Sequence, residues 1–331
     1  MDLSVIIVSW NVRELLRTCL LALKPSPSLP PYQGERATEV IVVDNASSDG
    51  SPEMVAADFP EVRLIRNVGT RGFTAANNQG LAISRGRKLV LLNPDAEVMG
   101  DALATMAAYL EAHPRVGALG PQLRYPDGSP QSSRRHFPTL VTALLESTVI
   151  QEWWRVNHTL RRYYMSDTPD DMVQPVDWVV GACLMVRREA FEQVGGLDES
   201  FFMYSEEMDW CHRIKDAGWE IVYLPTATVV HHEGKSSEQV VAARHIHFQS
   251  SKIRYFRKYH GRFQGEMLRV FLLSTYVFQW TREALKWLLG HKRSLRAERM
   301  RAYGQVLRSA LRIRQDLHDS QDAGGILQGN E

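Results

Sequence analysis

The chain has 331 residues and a net charge of +1, with 44% hydrophobic and 23% charged residues, which excludes wholesale disorder, a collagen-like repeat and a coiled-coil rod. Its three cysteines are widely spaced, which excludes a disulfide framework and a cysteine-based zinc site and favours a reducing compartment. The N-terminal segment has an acid at position 2 and no basic run, so we expect a buried strand rather than a signal peptide, and a cytoplasmic protein.

The first 120 residues alternate short apolar runs with segments of helical periodicity. The pattern predicts strands at 3–9, 39–44, 62–66, 88–92 and 116–120 and helices at 12–23, 73–85 and 101–112. Asn11 is the expected cap of the first helix. Strands that are apolar on both faces and alternate with helices predict an α/β fold with a mostly parallel, doubly wound sheet. In such sheets, ligands bind beyond the carboxyl ends of the strands.

The remainder of the chain has a less regular pattern. Residues 24–38 are predicted to form a surface loop, 124–138 are rich in turn-forming residues, and 140–175 show the period of one helix only. Further strands are predicted at 178–186, 221–224 and 228–231, with a helix from 189 to 194. We therefore divide the chain into a catalytic domain over 1–243, with a nucleotide-binding half (1–120) and an acceptor half (121–243), and a basic helical region over 244–331.

Asp44 ends the second predicted strand and is followed by a turn rich in Ser, Asn and Asp. One interpretation is a strand-to-helix loop in which Asp49 or Ser51 caps the next helix. The other is a carboxylate that accepts hydrogen bonds from a nucleobase or a ribose hydroxyl. The sequence leaves both open.

Asn93, Pro94 and Asp95 follow the apolar strand at 88–92. Asp95 is either a helix cap or a carboxylate that holds Mg²⁺ or Mn²⁺ against a diphosphate. Such cations take one or two protein carboxylates and complete their coordination with phosphate and water.

Three acids lie within four positions at Glu206, Glu207 and Asp209, next to the aromatic stretch at 201–204. Charge clusters are usually solvated helix faces. Acids beside so many aromatic side chains also suggest a cleft in which one carboxyl has a raised pKa and acts as a base. His231 and His232 close a β-branched run, either as a surface pair or as a metal ligand or phosphate contact.

Together these segments resemble the family 2 glycosyltransferases, inverting enzymes with the GT-A fold, and in particular the bacterial rhamnosyltransferase-like subgroup of cell-envelope polysaccharide biosynthesis. The resemblance covers residues 3–240 and is specific because six motifs occur in the right order. They are VIIVSWNV (5–12), VIVVDNASSDGS (40–51), GFTAANNQGL (72–81), LLNPDAEV (91–98), GGLDESFFMYSEEMDWCHRIKDAGW (195–219) and HHEGKS (231–236).

The resemblance implies a nucleotide-sugar donor, a glycan or lipid-linked acceptor, a divalent cation (Mg²⁺ or Mn²⁺) and no nucleic acid. Glu207 occupies the position of the base, where the family usually has the shorter Asp, with Glu206 and Asp209 as further catalytic candidates. The metal ligands would be Asp95 and His231. The expected nucleotide-sugar site comprises Ser9, Asn11, Asp44, Asn45, Asp49, Gly72, Asn77, Asn93 and Asp95, and the expected acceptor site comprises Trp178, Gly181 and Asp198.

The C-terminal region is strongly basic, with 17 Lys and Arg against three acids between Arg244 and Arg314, a local net charge of +14. Its longest uncharged stretch, 270–281, has 12 residues and is too short to span a bilayer. On a helical projection one side carries Met267, Val270, Phe271, Val277, Phe278, Leu285, Leu288 and Leu289, and the other side carries Arg269, Glu283 and Lys286. This helix either packs on the catalytic domain or on a second subunit, as in a homodimer, or lies on an anionic membrane surface at the inner face of the cell membrane.

Two other functions compete with glycosyl transfer. A nucleotidyltransferase would carry a glycine-rich, basic loop after the first strand, where this chain has Ser9, Trp10, Asn11 and Val12. A non-catalytic sugar-binding or membrane-surface protein would use the acids only as solvated charge. We favour the glycosyltransferase.

Overall fold

The computed structural model describes residues 2–24, 38–146, 148, 151, 157–232 and 241–312. The strands are β1 (Leu3–Ser9), β2 (Thr38–Asp44), β3 (Arg63–Arg66), β4 (Lys88–Leu92), β5 (Ala96–Val98), β6 (Val116–Arg124), β7 (Pro130–Gln131), β8 (Arg134–Arg135), β9 (Gln174–Pro175), β10 (Trp178–Val179), β11 (Cys183–Arg187) and β12 (Glu220–His231). The helices are α1 (Arg13–Ala22), α2 (Ser51–Asp58), α3 (Phe73–Ile83), α4 (Ala102–Ala112), α5 (Leu140–Leu145), α6 (His158–Tyr163), α7 (Arg188–Val194), α8 (Glu206–Asp216), α9 (Val241–Leu288) and α10 (Arg293–Ser309).

A mixed sheet forms the centre of the molecule, with strand order β3-β2-β1-β4-β11-β6-β12-β5. The first four strands are parallel, as are β6 and β12, whereas β11 runs antiparallel to both of its neighbours. It follows that β1, β2, β4 and β12 all end at the same edge of the sheet. The polar residues that the sequence places after these strands are therefore brought together.

Alternate residues of the central strands enter two separate apolar clusters. Ile6 and Val8 of β1 pack with α3, α7, α8 and α9, whereas Val5 and Ile7 pack with α1, α2 and α4. Because a strand presents successive side chains to opposite faces, a continuously apolar run requires cover on both sides. The expected doubly wound arrangement is confirmed.

Three predicted local features are corrected by the structure. Val12, not Asn11, flanks the first turn of α1, and its side chain makes no capping hydrogen bond. The strand predicted at 178–186 is two strands separated by residues 180–182, and the two strands predicted from 221 to 231 are one, β12, with a register shift between Leu224 and Thr228. The predicted loop at 24–38 falls almost wholly outside the described residues.

The C-terminal helices pack against the rest of the chain through one face of α9. At Gly261 the backbone has φ of 88°, which interrupts the helix and favours glycine. Ile253, Phe256, Leu268 and Leu272 of α9 belong to the same apolar cluster as α8. A domain boundary near residue 243 stays a prediction.

Candidate active site

The ends of β1 and β2 hold two buried polar atoms that have no partner in the described part of the chain. Ser9 and Asp44 are opposite each other in the parallel ladder, and both are buried. Oδ2 of Asp44 accepts a hydrogen bond from the Ser47 amide at 3.0 Å. Within the described residues, Oδ1 of Asp44 and Oγ of Ser9 have no hydrogen-bond partner. Because unpartnered buried polar atoms are costly, the pair indicates a place where a ligand supplies the missing bonds.

Asn11 and Asp49 tie together the loops that follow β1 and β2. Asn11 has a left-handed φ of 51°, and its Oδ1 accepts from the Ser48 amide at 2.7 Å. The two oxygens of Asp49 accept from the amides of Arg13 and Ser51 at 2.8 and 3.0 Å. Burial alone would raise the pKa of Asp49, but the hydrogen bonds from Ser51 and the Arg13 amide outweigh it and lower the pKa. The carboxylate of Asp49 thus anchors the starts of α1 and α2 at the rim of the expected nucleotide site.

Asn45 and Gly72 shape the loop before α3. Nδ2 of Asn45 donates to the Gly72 carbonyl at 3.3 Å, and Oδ1 of Asn45 accepts from the Arg71 amide at 2.9 Å. Gly72 has φ of 82°, and a Cβ there would lie 2.6 Å from the ring of Phe202, so no larger residue fits. Asn77 is buried, and its Nδ2 donates to the carbonyl four residues earlier. These three residues hold the loop in place through hydrogen bonds within the protein.

Asp95 and His231 meet at the ends of β4 and β12. Both are buried, and Oδ1 of Asp95 lies 3.4 Å from Nε2 of His231. Nδ1 of His231 donates to Oε1 of Gln131 at 3.0 Å, and Nδ2 of Asn93 donates to Nε2 at 3.3 Å. In this tautomer, the Nε2 lone pair and the Asp95 carboxylate approach each other. Interpretations as a surface histidine and as a helix cap are both wrong, because His231 is buried and Asp95 is followed by β5.

A divalent cation fits this arrangement. One carboxylate oxygen and one imidazole nitrogen are donors that Mg²⁺ or Mn²⁺ accepts, and a cation would relieve the approach of two electron-rich atoms. Across the described ranges, no three His, Cys, Asp or Glu side chains converge on a common metal position. A cation held by Asp95 and His231 would therefore take its other ligands from water and from phosphate oxygens.

Glu206 and Glu207 begin α8 after a strained turn. Tyr204 and Ser205 have φ of 68° and 65°, a left-handed conformation that is costly for residues with a Cβ and is found at functional sites. In both glutamates Oε2 is buried and has no hydrogen-bond partner among the described residues. Oε1 of Glu207 accepts from the Gly181 amide at 3.4 Å. The interpretation of these acids as a solvated helix face is wrong.

The two carboxyls have different affinities for a proton. Burial raises the pKa of Glu206 well above its usual range, and the charge of Glu207 raises it further. Burial also raises the pKa of Glu207, but backbone amides, including that of Gly181, and the charge of Arg135 favour its ionised form. We therefore infer that Glu207 ionises first while Glu206 retains its proton. An ionised carboxylate whose Oε2 has no partner among the described residues can act as a general base.

A short backbone segment joins the Asp95 turn to Glu207. Residues 180–182 separate β10 from β11, and the Ala182 carbonyl accepts from the Asn93 amide at 2.9 Å. The same segment contains Gly181, whose amide donates to Oε1 of Glu207. The candidate base and the candidate metal ligand therefore lie on either side of the same three residues.

Arg135 and Trp178 face each other across the β8–β10 ladder beside this segment. The Arg135 guanidinium lies 4.6 Å over the ring of Tyr164 and 5.9 Å from that of Trp178. The Trp178 indole donates to the His136 carbonyl at 2.9 Å, so its polar atom serves the fold and its ring faces the arginine. The expected acceptor residue Trp178 thus forms part of an aromatic wall around a cation.

Asp209 and Asp198 are ion-paired. Oδ1 of Asp209 accepts from Lys258 at 2.6 Å and from the Tyr259 hydroxyl at 2.8 Å, and Oδ2 accepts from Arg213 at 2.9 Å. Asp198 pairs with the same lysine at 2.7 Å. Burial would raise the pKa of Asp198, but hydrogen bonds from Lys258 and the nearby turn lower it to about 2. We assign both a structural role in place of the catalytic and acceptor roles expected from the sequence.

Sequence reasoning missed three features of this site. Gln131 fixes the tautomer of His231 from 100 positions away, and no local pattern identifies it. Arg135 lies in a segment that resembles a plain turn. The left-handed pair Tyr204–Ser205 carries neither glycine nor asparagine, so nothing in the residue types suggests the strained turn.

Comparison with curated proteins and family models identifies the kind of protein to which these residues belong. A model of the family described as Glycosyl transferase family 2 matches residues 4–195. The N-acetylglucosaminyl-diphospho-decaprenol L-rhamnosyltransferase of Mycobacterium tuberculosis is 30% identical over 322 residues, which cover 90% of this chain and 95% of that protein. Rhamnosyltransferase WbbL of Escherichia coli K12 is 28% identical over 50% of this chain and 62% of its own length.

Solved structures with the same architecture are more distant in sequence. The mannosyltransferase PcManGT of Pyrobaculum calidifontis, in complex with GDP-Man and Mn²⁺, has a TM-score of 0.50 and 17% identity over 94% of this chain and 85% of that one. GalNAc-T7 with UDP, GalNAc and Mn²⁺ has a TM-score of 0.53 and 17% identity over 78% of this chain and 48% of that one. These likenesses establish the GT-A fold. The chain belongs to glycosyl transferase family 2 and is a glycosyltransferase.

Proposed function

We propose that this family 2 glycosyltransferase moves a sugar, with rhamnose as the first candidate, from a nucleoside-diphosphate donor to a polysaccharide or to a sugar on a lipid diphosphate carrier, with inversion at the anomeric carbon. The names of the two rhamnosyltransferase relatives support the sugar, and the name of the mycobacterial relative supports the lipid-linked acceptor. The donor to test first is dTDP-rhamnose.

One observation supports this proposal: two buried polar atoms without partners among the described residues, a carboxylate beside an imidazole, and a buried glutamate oxygen lie at one edge of the sheet. At the ends of β1 and β2, Ser9 and Asp44 each have a polar atom with no partner within the described ranges. Asp95 and His231 approach to 3.4 Å at the ends of β4 and β12. Glu207 is joined to the Asp95 turn through residues 180–182.

A divalent cation held by Asp95 and His231 would neutralise the leaving diphosphate; both solved structures named above contain Mn²⁺. The chain's own groups do the remaining work. Ser9 and Asp44 hold the nucleoside, so that the diphosphate lies along the carboxyl edge of the sheet. Glu206 keeps its proton and therefore does not add a second negative charge beside Glu207.

The reaction needs a single base. Oε2 of Glu207 takes the proton from an acceptor hydroxyl while that oxygen forms a bond to the anomeric carbon. The bond from the anomeric carbon to the diphosphate oxygen breaks with its electron pair, and a nucleoside diphosphate departs. Because attack and departure occur on opposite faces, the configuration inverts and no covalent glycosyl-enzyme is required, in contrast to the paired carboxylates of retaining glycosidases.

We also propose that the enzyme works at the cytoplasmic face of a membrane, where a lipid-linked acceptor is held. None of the helices in the described ranges is both long enough and apolar enough to span a lipid bilayer. We propose that its association with the membrane is peripheral and involves the basic C-terminal helices.

The proposal is tested with the full chain and a panel of UDP-, GDP- and dTDP-sugars, with and without Mn²⁺. A donor that binds the folded state raises its melting temperature, and we expect this for one nucleotide only, with Mn²⁺ present. Transfer is then followed to a short-chain lipid-diphosphate N-acetylglucosamine, with the anomeric configuration of the product determined by NMR. Retention of configuration, or nucleotidyl transfer in place of sugar transfer, would refute the proposal.

Asp95→Asn provides the sharpest variant for the metal. Without the carboxylate charge, the Mn²⁺-dependent part of donor stabilisation should disappear, while the melting temperature without ligand should change little. Asp127→Asn, at an exposed turn with its own local hydrogen bonds, serves as a matched control. Normal transfer by Asp95→Asn at limiting Mn²⁺ would show that another residue holds the metal.

A further inference from the structure

The part of α9 after the Gly261 break carries an exposed apolar stripe. It begins at Phe263, which is 77% exposed, and ends at Leu288, which is 64% exposed. It spans 25 positions, or roughly 38 Å of helix, and its positions recur every three or four residues when Ser274 and Thr281 are included. Its apolar members are Phe263, Met267, Val270, Val277, Leu285 and Leu288, all exposed.

Two polar residues interrupt the apolar stripe, and the hydroxyl of each donates a hydrogen bond to the backbone of the same helix. The hydroxyl of Ser274 donates to the Val270 carbonyl at 2.9 Å. The hydroxyl of Thr281 donates to the Val277 carbonyl, also at 2.9 Å. Hydroxyls on a water-exposed face gain little from such bonds, whereas in an apolar setting each bond satisfies a group that would otherwise be unpaired. The stripe therefore offers no unsatisfied side-chain donor to an apolar neighbour.

The opposite face of the same helix segment packs against the rest of the protein, so the stripe faces away from it. Leu268, Leu272 and Tyr276 are buried in the main apolar cluster. Glu283 is fully buried and accepts from Arg296 of α10 at 2.5 Å. Burial would raise the pKa of Glu283, but Arg296 and the surrounding cations lower it, so the ion pair persists. The helix cannot rotate to hide the stripe without breaking this buried pair.

The turn between α9 and α10 continues the apolar surface to a hairpin tip, residues 285–295. Leu289 is 84% exposed, the highest exposure in the tip's apolar residues, and Trp287 is also exposed. Lys292 and Arg293 belong to the same tip, and the Arg293 guanidinium lies 5.3 Å over the Trp287 ring. Tryptophan and arginine are enriched at the boundary between water and lipid because each has an apolar body and a polar end.

A second copy of the chain or a lipid surface could cover the apolar stripe and the hairpin tip. The charges around the stripe distinguish between these two partners. Between Gly261 and Arg312, Glu266 and Glu283 are paired with arginines, so Glu298 is the one exposed acid in this described stretch. Arg262, Lys292 and Arg301 are exposed cations of the same stretch. A second copy placed on the stripe would bring like charges together, whereas an anionic lipid surface complements them.

We propose that the apolar stripe and the hairpin tip insert into the interface of an anionic lipid bilayer and hold the catalytic domain on the membrane. This rests on the proposed function only in its choice of partner, since a lipid-linked acceptor lies in such a bilayer. The basic residues attract the surface from a distance, and the apolar side chains secure the contact. Leu288 and Leu289 reach deepest because they stand at the end of the hairpin.

The test measures co-sedimentation of the full chain with vesicles of phosphatidylglycerol and phosphatidylcholine, compared with phosphatidylcholine alone, without donor or acceptor. We expect binding to the anionic vesicles and at least tenfold weaker binding to the neutral ones. Raising the salt from 0.1 to 0.5 M should weaken binding several-fold but not abolish it, because screening acts on the charges and not on the apolar side chains. Equal binding to both vesicles, or to neither, would overturn the proposal.

Matched variants separate the stripe from general surface effects. Leu288→Ser with Leu289→Ser should weaken vesicle binding at least tenfold, whereas Leu21→Ser with Val141→Ser, two exposed apolar residues elsewhere, should leave it unchanged. For charge, Arg262→Glu with Lys292→Glu is compared with Arg85→Glu and Arg162→Glu, which change the net charge equally at other exposed positions. Equal loss in both members of either comparison would overturn the proposal.

Two further measurements distinguish a failure of the membrane proposal from a failure of the proposed enzyme activity. Leu288→Ser with Leu289→Ser should transfer sugar to a water-soluble acceptor at the wild-type rate, so loss of vesicle binding with retained transfer supports the lipid surface. If no chain transfers sugar but vesicle binding follows the pattern above, the proposed function alone has failed. A dimer that forms with rising concentration, is lost in that double variant and excludes vesicles would instead identify a second copy as the partner.

Discussion

Two pairs of acidic residues in one short segment have opposite surroundings. Asp198 and Asp209 share the Lys258 ammonium, and Asp209 is further bonded to Arg213 and Tyr259. Glu206 and Glu207 lie between them in sequence, yet each has a buried carboxylate oxygen without a partner in the described chain. The first pair holds α8 against α9, and the second pair remains available for chemistry.

This contrast shows that burial alone does not identify a catalytic acid. Asp209 is the most deeply buried of the three acids in the first turn of α8, but its charge is neutralised and its oxygens are occupied. In Glu207, at the start of the helix, Oε1 accepts from the Gly181 amide at 3.4 Å, Oε2 has no partner among the described residues, and burial raises the pKa of the carboxyl. A base needs an oxygen that is free to accept a proton, so we assign this role to Glu207.

The largest effect is expected for Glu207→Gln, which keeps size and polarity but removes the base. Turnover should fall by about 100-fold or more, the usual contribution of a general base, while donor binding persists. Glu207→Asp keeps a carboxylate one methylene shorter and should retain part of the rate. Steady-state kinetics and donor titration measure both effects. If Glu207→Gln is active and Glu206→Gln is inactive, the base is Glu206 and not Glu207.

A smaller effect, on stability rather than rate, is expected for Asp209→Asn. The change leaves Lys258 and Arg213 without a full countercharge in a buried place, which should lower the free energy of unfolding by about 3 kcal/mol. Urea denaturation measures the loss. Turnover per folded molecule should stay within a few-fold of the wild type. A variant as stable as the wild type but 100-fold slower would place Asp209 in the catalytic machinery.

The smallest effect concerns the pH dependence of stability and isolates Glu206. The folded chain keeps a proton on Glu206 at pH values where the unfolded chain has lost it, because burial raises the folded pKa. Stability due to this group is therefore present at low pH and falls as the pH rises from the unfolded to the folded pKa, by about 1.4 kcal/mol per unit.

Glu206→Gln cannot ionise and should flatten this dependence. Relative to the wild type, the variant should gain stability as the pH rises from 5 to 8, measured by urea denaturation at each pH. Glu199→Gln, an exposed acid in the turn before α8, is the control and should follow the wild type. Parallel curves for wild type and Glu206→Gln would show that Glu206 is ionised in the folded protein.

Much of the fold could be predicted because its signals are local. The bounds of β1 and β4 agree with the apolar runs that predicted them, and the polar residues after them lie at the expected edge of the sheet. The cap of α1 was predicted wrongly because Asn11 takes its backbone conformation from a contact with Ser48, which belongs to the next loop. Propensity describes a residue among its sequence neighbours and not among its neighbours in space.

The C-terminal helix illustrates the same limit. Seven of the eight residues that its periodicity placed on one side are exposed, whereas the eighth, Phe271, packs against the main apolar cluster. On the charged side, Glu283 is buried against Arg296. A helix with two apolar faces cannot be oriented from sequence alone, because the pattern does not say which face the domain covers.

The sequence by itself thus determined the alternation of strands and helices in the first 120 residues, the family, and the carboxyl edge at which Ser9, Asp44 and Asp95 collect. Only the tertiary structure decided which acids are neutralised, which histidine nitrogen faces Asp95, and which face of α9 is exposed. The physical reason is that hydrophobic periodicity is set by residues a few positions apart, whereas burial and partial charge at a site come from all elements that surround it. Lys258 and Gln131 act on α8 and β12 from distant positions, and no local pattern encodes that proximity.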